Sequence, residues 1–111
     1  MNLKKDKAYL RLPQNRPPVH PGEILAEEFM LPYHLTQQQL AQYLKISRKH
    51  LIDIIHAHKA VSLEVAQRLA KLFQTSVDFW IQGQVAYDIW YAQRHPSKEV
   101  KTIKPLKLSI N

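Results

Sequence analysis

The sequence predicts an all-α fold of five short helices, flanked by basic, flexible tails. Apolar residues recur at intervals of three and four in five successive stretches, which is the spacing of one helix face. A Ser or Thr suited to capping a helix precedes four of these stretches. A chain of 111 residues, of which 45% are hydrophobic and 23% charged, has the size and composition of a single folded domain. We therefore expect one domain with one functional site.

The first predicted helix begins at Pro21, because a proline suits the first turn of a helix. Its apolar face comprises Ile24, Leu25 and Phe29. Pro32 should end this helix, since the residue before a proline is pushed out of the α region and the ring cannot continue the hydrogen-bond ladder.

The second and third predicted helices are short and adjacent. Thr36 and Gln39 have the spacing of a capping box, so the second helix should span roughly residues 36 to 44. Ser47 can cap the third helix. The apolar face of that third helix comprises Leu51, Ile54 and Ile55.

The fourth and fifth predicted helices begin at Ser62 and at Thr75 or Ser76, and the fifth runs to about residue 93. The fourth has one apolar stripe, formed by Val65, Ala66, Leu69, Leu72 and Phe73. The fifth is apolar or aromatic on nearly every side, so it must be buried on more than one side. In so small a domain this predicts a homodimer. The residues that we expect at its interface are Trp80, Tyr87 and Trp90.

The charge distribution divides the chain into three segments. Residues 1–19 carry five basic residues and one acidic residue, and so do residues 94–111, whereas residues 20–93 carry six basic and seven acidic ones. We interpret residues 1–19 as a flexible basic arm, residues 20–93 as the folded domain and residues 94–111 as a basic tail.

The basic tail has a partial alternation of apolar and polar residues from Val100 onward. The apolar side comprises Leu106, Leu108 and Ile110. This pattern predicts a strand, which Pro105 would restrict to the edge of a sheet because proline cannot donate a ladder hydrogen bond.

Positive charge within the folded domain concentrates between residues 45 and 59, where Asp53 is the only acid. Two short helices joined by a tight turn, the second presenting basic residues, describe a helix-turn-helix. The first turn of the third helix, from which side chains can reach base edges in the major groove, holds Arg48, Lys49 and His50. Gln37 starts the second helix, where a backbone N–H can bind a phosphate. The competing interpretation is a solvated basic face of a helical bundle.

Other kinds of functional site lack the residues that they need. The chain has no cysteine, and His50 and His56 diverge on their helix, so no metal site is expected. Glu27 and Glu28 are adjacent and lie on different faces, so they cannot act as a general acid and base pair. We therefore expect no catalytic activity and no cofactor. With no long apolar run for a signal peptide or membrane span, we expect a cytoplasmic protein without a membrane partner.

Several motifs in this chain resemble those of the HigA antitoxins, which are Xre-type helix-turn-helix proteins and include some named virulence-associated protein I. The motifs are His20 to Leu25 (HPGEIL), Leu44 to Leu51 (LKISRKHL), Ala66 to Ala70 (AQRLA), Asp78 to Ile81 (DFWI) and Ala86 to Asp88 (AYD). The resemblance covers residues 16–93, and its motifs occur in the family's order and spacing.

The resemblance implies a five-helix, lambda-repressor-like domain that forms a homodimer and binds a double-stranded DNA operator. It also implies repression of the chain's own operon together with a small ribonuclease toxin, usually HigB. By position, it assigns base reading to Arg48, Lys49 and Asp53. It assigns phosphate contacts to Gln37, His56 and Lys59, and Ser47 and His50 complete the expected DNA-binding set.

One residue departs from the family pattern. Ala57 stands where the family usually has a glycine that ends the third helix in a left-handed turn, so we expect this helix to end differently here.

Three functional hypotheses remain open at this point. The first is an antitoxin that represses its operon and masks a ribonuclease, and the second is a stand-alone dimeric regulator. The third is a structural interaction module, which predicts no affinity for duplex DNA. For the first hypothesis we expect the toxin to contact the surfaces of helices one and four, because the basic tails suit a basic ribonuclease poorly.

Overall fold

The structure, a computed structural model, describes residues 17–109, and the regular elements in this range are all helical. Six segments follow one another along the chain: α1 (Pro21–Ile24) with its π-helical continuation Leu25–Met30, α2 (Gln37–Leu44), α3 (Arg48–Ile55), α4 (Leu63–Phe73), α5 (Val77–Arg94) and α6 (Lys98–Thr102). The predicted all-α fold is confirmed. Its five helices are present, and α6 is an addition.

The first helix begins and ends where the sequence predicts, but its hydrogen-bond pattern changes from α-helical to π-helical within it. The His20 side chain caps it by accepting a hydrogen bond from the Gly22 N–H at 2.9 Å, and Pro21 follows at the first position. From Leu25 the helix is π-helical, so the Leu31 N–H donates to the Ala26 carbonyl, five residues back, at 3.1 Å. Helical structure stops before Pro32.

The four predicted hydroxyl caps are present at the starts of α2 to α5. Thr36 and Gln39 form the capping box, with distances of 3.1 Å from the Gln39 N–H to the Thr36 hydroxyl and 2.9 Å from the Thr36 N–H to the Gln39 side chain. Ser47, Ser62 and Ser76 each accept a hydrogen bond from the backbone N–H three residues later. These caps satisfy backbone donors that no helical carbonyl can reach.

The core lies where the first helix, α2, α3 and α4 converge on the N-terminal half of α5. Its fully buried large side chains are Trp80, Leu25, Leu40, Leu51, Ile54 and Leu69. Leu51 and Ile54 hold one side of α3 against this core, so the opposite side of α3 faces solvent. None of the helices within residues 17–109 is long and apolar enough to cross a membrane.

The basic tail differs from the predicted edge strand over its described part. Ser97 accepts a hydrogen bond from the Val100 N–H at 3.2 Å and starts α6 where the strand was expected to begin. Residues 103–109 form neither helix nor strand. An edge strand needs a sheet to pair with, and residues 17–109 contain none. The arm from residue 1 to 16, and Ile110, lie outside the described residues.

Candidate nucleic-acid interface

Helices α2 and α3 form a helix-turn-helix whose turn depends on one left-handed residue. Lys45, directly after α2, has φ of 58°, and this reverses the chain so that Ser47 can start α3 two residues later. The Ile46 N–H donates to the Ala41 carbonyl at 3.1 Å, which closes the end of α2. The turn is therefore short and held by the backbone.

Arg68 of α4 fixes this turn from outside the motif. Its guanidinium donates to the carbonyl oxygens of Leu44 and Lys45 at 2.9 and 2.8 Å, and Glu64 accepts from the same group at 3.1 Å. The carbonyls at the end of α2 thus receive a charge-assisted donor. The sequence pattern did not indicate this role of Arg68, because helical periodicity carries no information about contacts 23 and 24 residues away.

The first turn of α3 presents the predicted base-reading residues to solvent. Ser47 accepts a hydrogen bond from the His50 N–H at 3.0 Å, so its hydroxyl is used as a cap. Arg48 and Lys49 are exposed, and His50 is half-buried. Because the opposite side of α3 is packed in the core, Arg48 and Lys49 are the side chains that a groove-bound helix would direct at base edges.

Lys49 and Asp53 form an ion pair one helical turn apart, with 3.0 Å between Nζ and Oδ2. The hydrogen bond from Lys49 lowers the pKa of the Asp53 carboxyl below its ordinary value. Lys49 has a side chain that is 85% exposed, whereas that of Asp53 is only 17% exposed. The carboxylate is therefore placed to orient the lysine, which remains accessible to a partner.

Gln37 occupies the first position of α2, as expected for a phosphate contact. The capping box engages the backbone N–H groups of Thr36 and Gln39 and does not use that of Gln37. The half-buried Gln37 side chain lines a cavity of about 280 Å³ beside the π-helical segment, where Leu31 and Ile55 are among its neighbours. The start of α2 thus combines a helix N-terminus with an amide side chain.

The expectation that Ala57 would change the end of α3 is wrong, because the left-handed turn forms at this residue. His56 closes the helix, and Ala57 adopts the left-handed conformation, with φ of 62°, that the family usually gives to glycine. The N–H groups of His58 and Lys59 both donate to the Asp53 carbonyl, at 2.7 and 3.1 Å. The left-handed turn therefore forms despite the methyl group, at a cost of about 1 kcal/mol. His56 and Lys59 are exposed on this turn, as phosphate contacts require.

Two buried contacts hold the C-terminal end of α3 and were not anticipated. Gly22 packs against the Ile54 carbonyl so closely that a Cβ atom at position 22 would overlap the carbonyl group. In the loop that follows, the Val61 N–H donates to the Gln84 side chain at 2.8 Å, and that side chain donates to Asp88 at 2.9 Å. The first helix and α5 thus support both sides of the helix-turn-helix.

The predicted dimer interface is wrong at Trp80. This side chain is fully buried within one chain, and its indole N–H donates to the Thr75 hydroxyl at 2.7 Å, so Trp80 belongs to the core. Tyr87 is half-buried against the His20 ring, and Trp90 is half-buried beneath the Arg94 guanidinium, 4.4 Å from its ring centroid.

A different part of α5 carries its exposed apolar surface. Val85 and Ile89 lie four residues apart, and Ile81, which is partly buried against the core, precedes them by four; we call these three residues the α5 stripe. Val85 and Ile89 are 48% and 53% exposed. The sequence did not single out these residues as an interface, because a helix that is apolar on nearly every side gives no periodic signal for the side that the core takes.

Comparisons with known proteins agree with this arrangement. A family model described as helix-turn-helix matches residues 27–80. The HTH-type transcriptional regulator YbaQ of Escherichia coli is 38% identical over 80 residues, which cover 72% of this chain and 71% of that protein. Antitoxin HigA-1 of Vibrio cholerae is 32% identical over 95 residues, covering 86% of this chain and 90% of that protein.

Solved structures give the same result. The structure described as Pseudomonas aeruginosa antitoxin HigA with the higBA promoter aligns with a TM-score of 0.71 at 35% identity, covering 83% of this chain and 100% of that one. Sequence, fold and helix-turn-helix geometry therefore agree. This chain belongs to the HigA-type helix-turn-helix family, which consists of DNA-binding regulators and not of enzymes.

Proposed function

We propose that this chain is an operator-binding transcriptional repressor and the antitoxin of a toxin–antitoxin pair. The observation that carries the DNA-binding part is the exposed placement of Arg48 and Lys49 on the first turn of α3, whose other side is buried through Leu51 and Ile54. A helix fixed in this way can enter a major groove without exposing the core.

Each residue of the interface has a distinct role in this proposal. Arg48 and Lys49 read base edges, and Asp53 orients Lys49 through their ion pair. Gln37, His56 and Lys59 contact phosphates and set the position of α3 on the duplex. Ser47 supports the start of α3 as its cap, so its contribution is to hold the helix end that faces DNA.

The test of operator binding uses the DNA immediately upstream of the gene that encodes this chain. The purified full chain should bind this duplex more tightly than a scrambled duplex of equal length, measured by fluorescence anisotropy at a fixed salt concentration. Equal affinity for the two duplexes would contradict specific repression, and no affinity for either would favour a protein-interaction module.

The proposed repressor is a homodimer formed through the α5 stripe. The stripe leaves branched apolar side chains exposed on a regular helix, which a second copy of the same helix can cover with its own stripe. Two copies would place their α3 helices in half-sites about 34 Å apart on a pseudo-palindromic operator. Dimerisation therefore uses an apolar surface, on α5, and DNA recognition uses a basic one, on α3.

The proposed second partner is a small ribonuclease toxin in the same cytoplasmic compartment. The antitoxin names of relatives support this, together with exposed apolar residues near the first helix and on α4: Leu31 is 73% exposed, Tyr33 60% and Leu63 61%. These surfaces lie outside α3. Leu31 shares a cavity with the proposed phosphate contact Gln37, so we expect a toxin bound there to compete with DNA at the start of α2, whereas Leu63 lies on α4.

The genomic neighbourhood offers the test of this toxin partner. Co-expression with an adjacent gene for a small basic protein should relieve growth arrest, and the two proteins should co-purify. Arrest that this chain does not relieve, with no complex recovered, would leave a stand-alone dimeric regulator as the better interpretation.

A further inference from the structure

The C-terminal tail carries lysines at a strict three-residue interval, which we call the lysine series. Its members are Lys98, Lys101, Lys104 and Lys107. Glu99 is the only acidic residue between positions 89 and 111. All four lysines are exposed, and none forms an ion pair with another described residue. The positive charge of this segment is therefore not used within the described part of the chain.

The three-residue interval suits both conformations of the tail, because each can bring two successive lysines of the series to one side. In α6, residues three apart are neighbours on the helix surface, which brings Lys98 and Lys101 together. After α6, Ile103 has φ of −72° and ψ of 126°, close to the polyproline II region, and Pro105 has its φ fixed in that region by its ring. A polyproline II helix repeats every three residues, so Lys104 and Lys107 would share a side if this conformation continues to residue 107.

The spacing of the lysine series matches a row of phosphates better than a compact acidic site. Three residues of polyproline II span about 9 Å. A duplex presents one phosphate per strand for about every 3.4 Å along its axis, so each lysine can meet every second or third phosphate. Residues 103–109, if extended at about 3.1 Å per residue, reach roughly 20 Å, which is the length of several phosphate spacings along a duplex.

We propose that the lysine series is a second, sequence-independent DNA-binding element that contacts phosphates flanking the operator. The proposal rests on the DNA-binding function of α3 and adds a separate electrostatic contribution to it. Val100, Ile103 and Leu106 also recur at intervals of three, and all three are exposed, as is Leu108. They would favour a protein groove as the partner, but such a groove would also have to be acidic, whereas duplex DNA supplies the complementary charge along its whole length.

The experiment compares the full chain with a variant in which all four lysines are replaced by glutamine (K98Q, K101Q, K104Q and K107Q). Affinity for the operator duplex and for a random duplex is measured between about 50 and 200 mM salt. Each phosphate contact adds about 0.9 to the slope of log Kobs against log salt, so loss of two to four contacts should reduce its magnitude by about 2 to 4. Affinity for both duplexes should fall together by about tenfold or more at the low-salt end.

Two controls separate this effect from other causes. The variant L106S/L108S keeps the charge and should bind both duplexes as the parent does, and so should a variant with four Lys→Arg replacements. The variant R48A/K49A should lose preference for the operator while its binding to random DNA still depends on the lysine series. Circular dichroism establishes that each variant retains its helices.

The outcomes distinguish failure of this proposal from failure of the proposed function. An unchanged salt slope and affinity in the glutamine variant would overturn the proposal, even if the parent prefers its operator. An equal loss in L106S/L108S would also overturn it and would assign the tail to apolar contacts. A parent without operator preference would contradict the function of α3, while the effect of the lysine series would still be measured on random DNA.

Discussion

The Gln84 side chain accepts a hydrogen bond from the backbone N–H of Val61 at 2.8 Å, although the two residues are 23 positions apart. Val61 lies in the loop that follows α3, the second helix of the helix-turn-helix, and it is 3% exposed. Gln84 is also buried, at 5% exposure, and it donates to Asp88 at 2.9 Å. One glutamine therefore connects the end of the DNA-binding motif to α5.

Replacing Gln84 with alanine should destabilise the domain by about 1–3 kcal/mol, because the buried Val61 N–H loses its acceptor. The free energy of unfolding, from urea denaturation followed by circular dichroism, measures this effect. Gln82→Ala is the matched control, since Gln82 is exposed on the same helix and should change stability by less than about 0.5 kcal/mol. Equal midpoints for Gln84→Ala and the parent would show that the hydrogen bond contributes nothing.

Ala57→Gly should stabilise the protein by about 0.5–1 kcal/mol. The alanine holds φ at 62°, where its methyl group is unfavourable, and the relief outweighs the greater chain entropy of glycine in the unfolded state. Ala60→Gly is the control, because Ala60 has a negative φ and gains no such relief. Thermal unfolding of the three proteins measures the difference, and a lower melting temperature for Ala57→Gly would contradict the strain argument.

Arg48→Ala and Lys49→Ala should each weaken operator binding by about 1–3 kcal/mol and reduce the preference over scrambled DNA. Gln37→Ala should weaken binding to both duplexes alike, since a phosphate contact carries no sequence information. Lys71→Ala, which removes a charge in the last turn of α4, is the control for net charge. Parent-like operator affinity in both α3 variants, with intact helicity, would place the readout elsewhere.

Val85→Glu and Ile89→Glu should convert a dimer into a folded monomer, because each places a charge in the α5 stripe without entering the core. Sedimentation equilibrium at tens of micromolar gives the mass. Trp80→Glu should instead unfold the chain, since Trp80 is fully buried. A parent that sediments as a monomer at this concentration would remove the basis for the dimer.

Acidification should destabilise the protein through His20. Burial lowers the pKa of this imidazole below its ordinary value of 6.5, and the Asp88 carboxylate partly opposes the shift. The unfolded state therefore binds a proton at a pH where the folded state does not. The contribution of His20 to the free energy of unfolding is fully present above pH 6.5 and is lost as the pH falls through the lowered pKa. His20→Asn keeps a capping acceptor without this titration, and its stability should depend less steeply on pH between 7.5 and 5. Parallel pH profiles for parent and variant would contradict this role.

Local features of the fold could be predicted from the sequence, because their causes lie within a few residues. Thr36 and Ser47 identify helix starts by satisfying backbone donors three residues away, and Pro32 ends a helix by its own geometry. The exposed side of α3 could be predicted as well, because the spacing of Leu51 and Ile54 defines its buried side.

The long-range features could not be predicted in this way. Arg68 reaches a carbonyl 24 residues away, and neither its helix nor its charge indicates that target. Trp80 was assigned to a dimer interface because α5 is apolar all round, and only packing reveals which of its sides the core takes. The predicted edge strand failed because a strand depends on a neighbour that the described residues do not provide.

The supports of the helix-turn-helix share a property that bears on how its specificity can change. Arg68 donates to carbonyl oxygens, Gln84 accepts from an N–H, and Gly22 packs against the carbonyl of Ile54. Each support therefore contacts main-chain atoms of the motif or its adjoining loop. Main-chain atoms are the same whatever side chain they carry. The exposed residues of α3 can therefore be exchanged for others without loosening the frame that presents them. On the proposed function, we expect substitutions at Arg48 and Lys49 to redirect the same scaffold to a different operator.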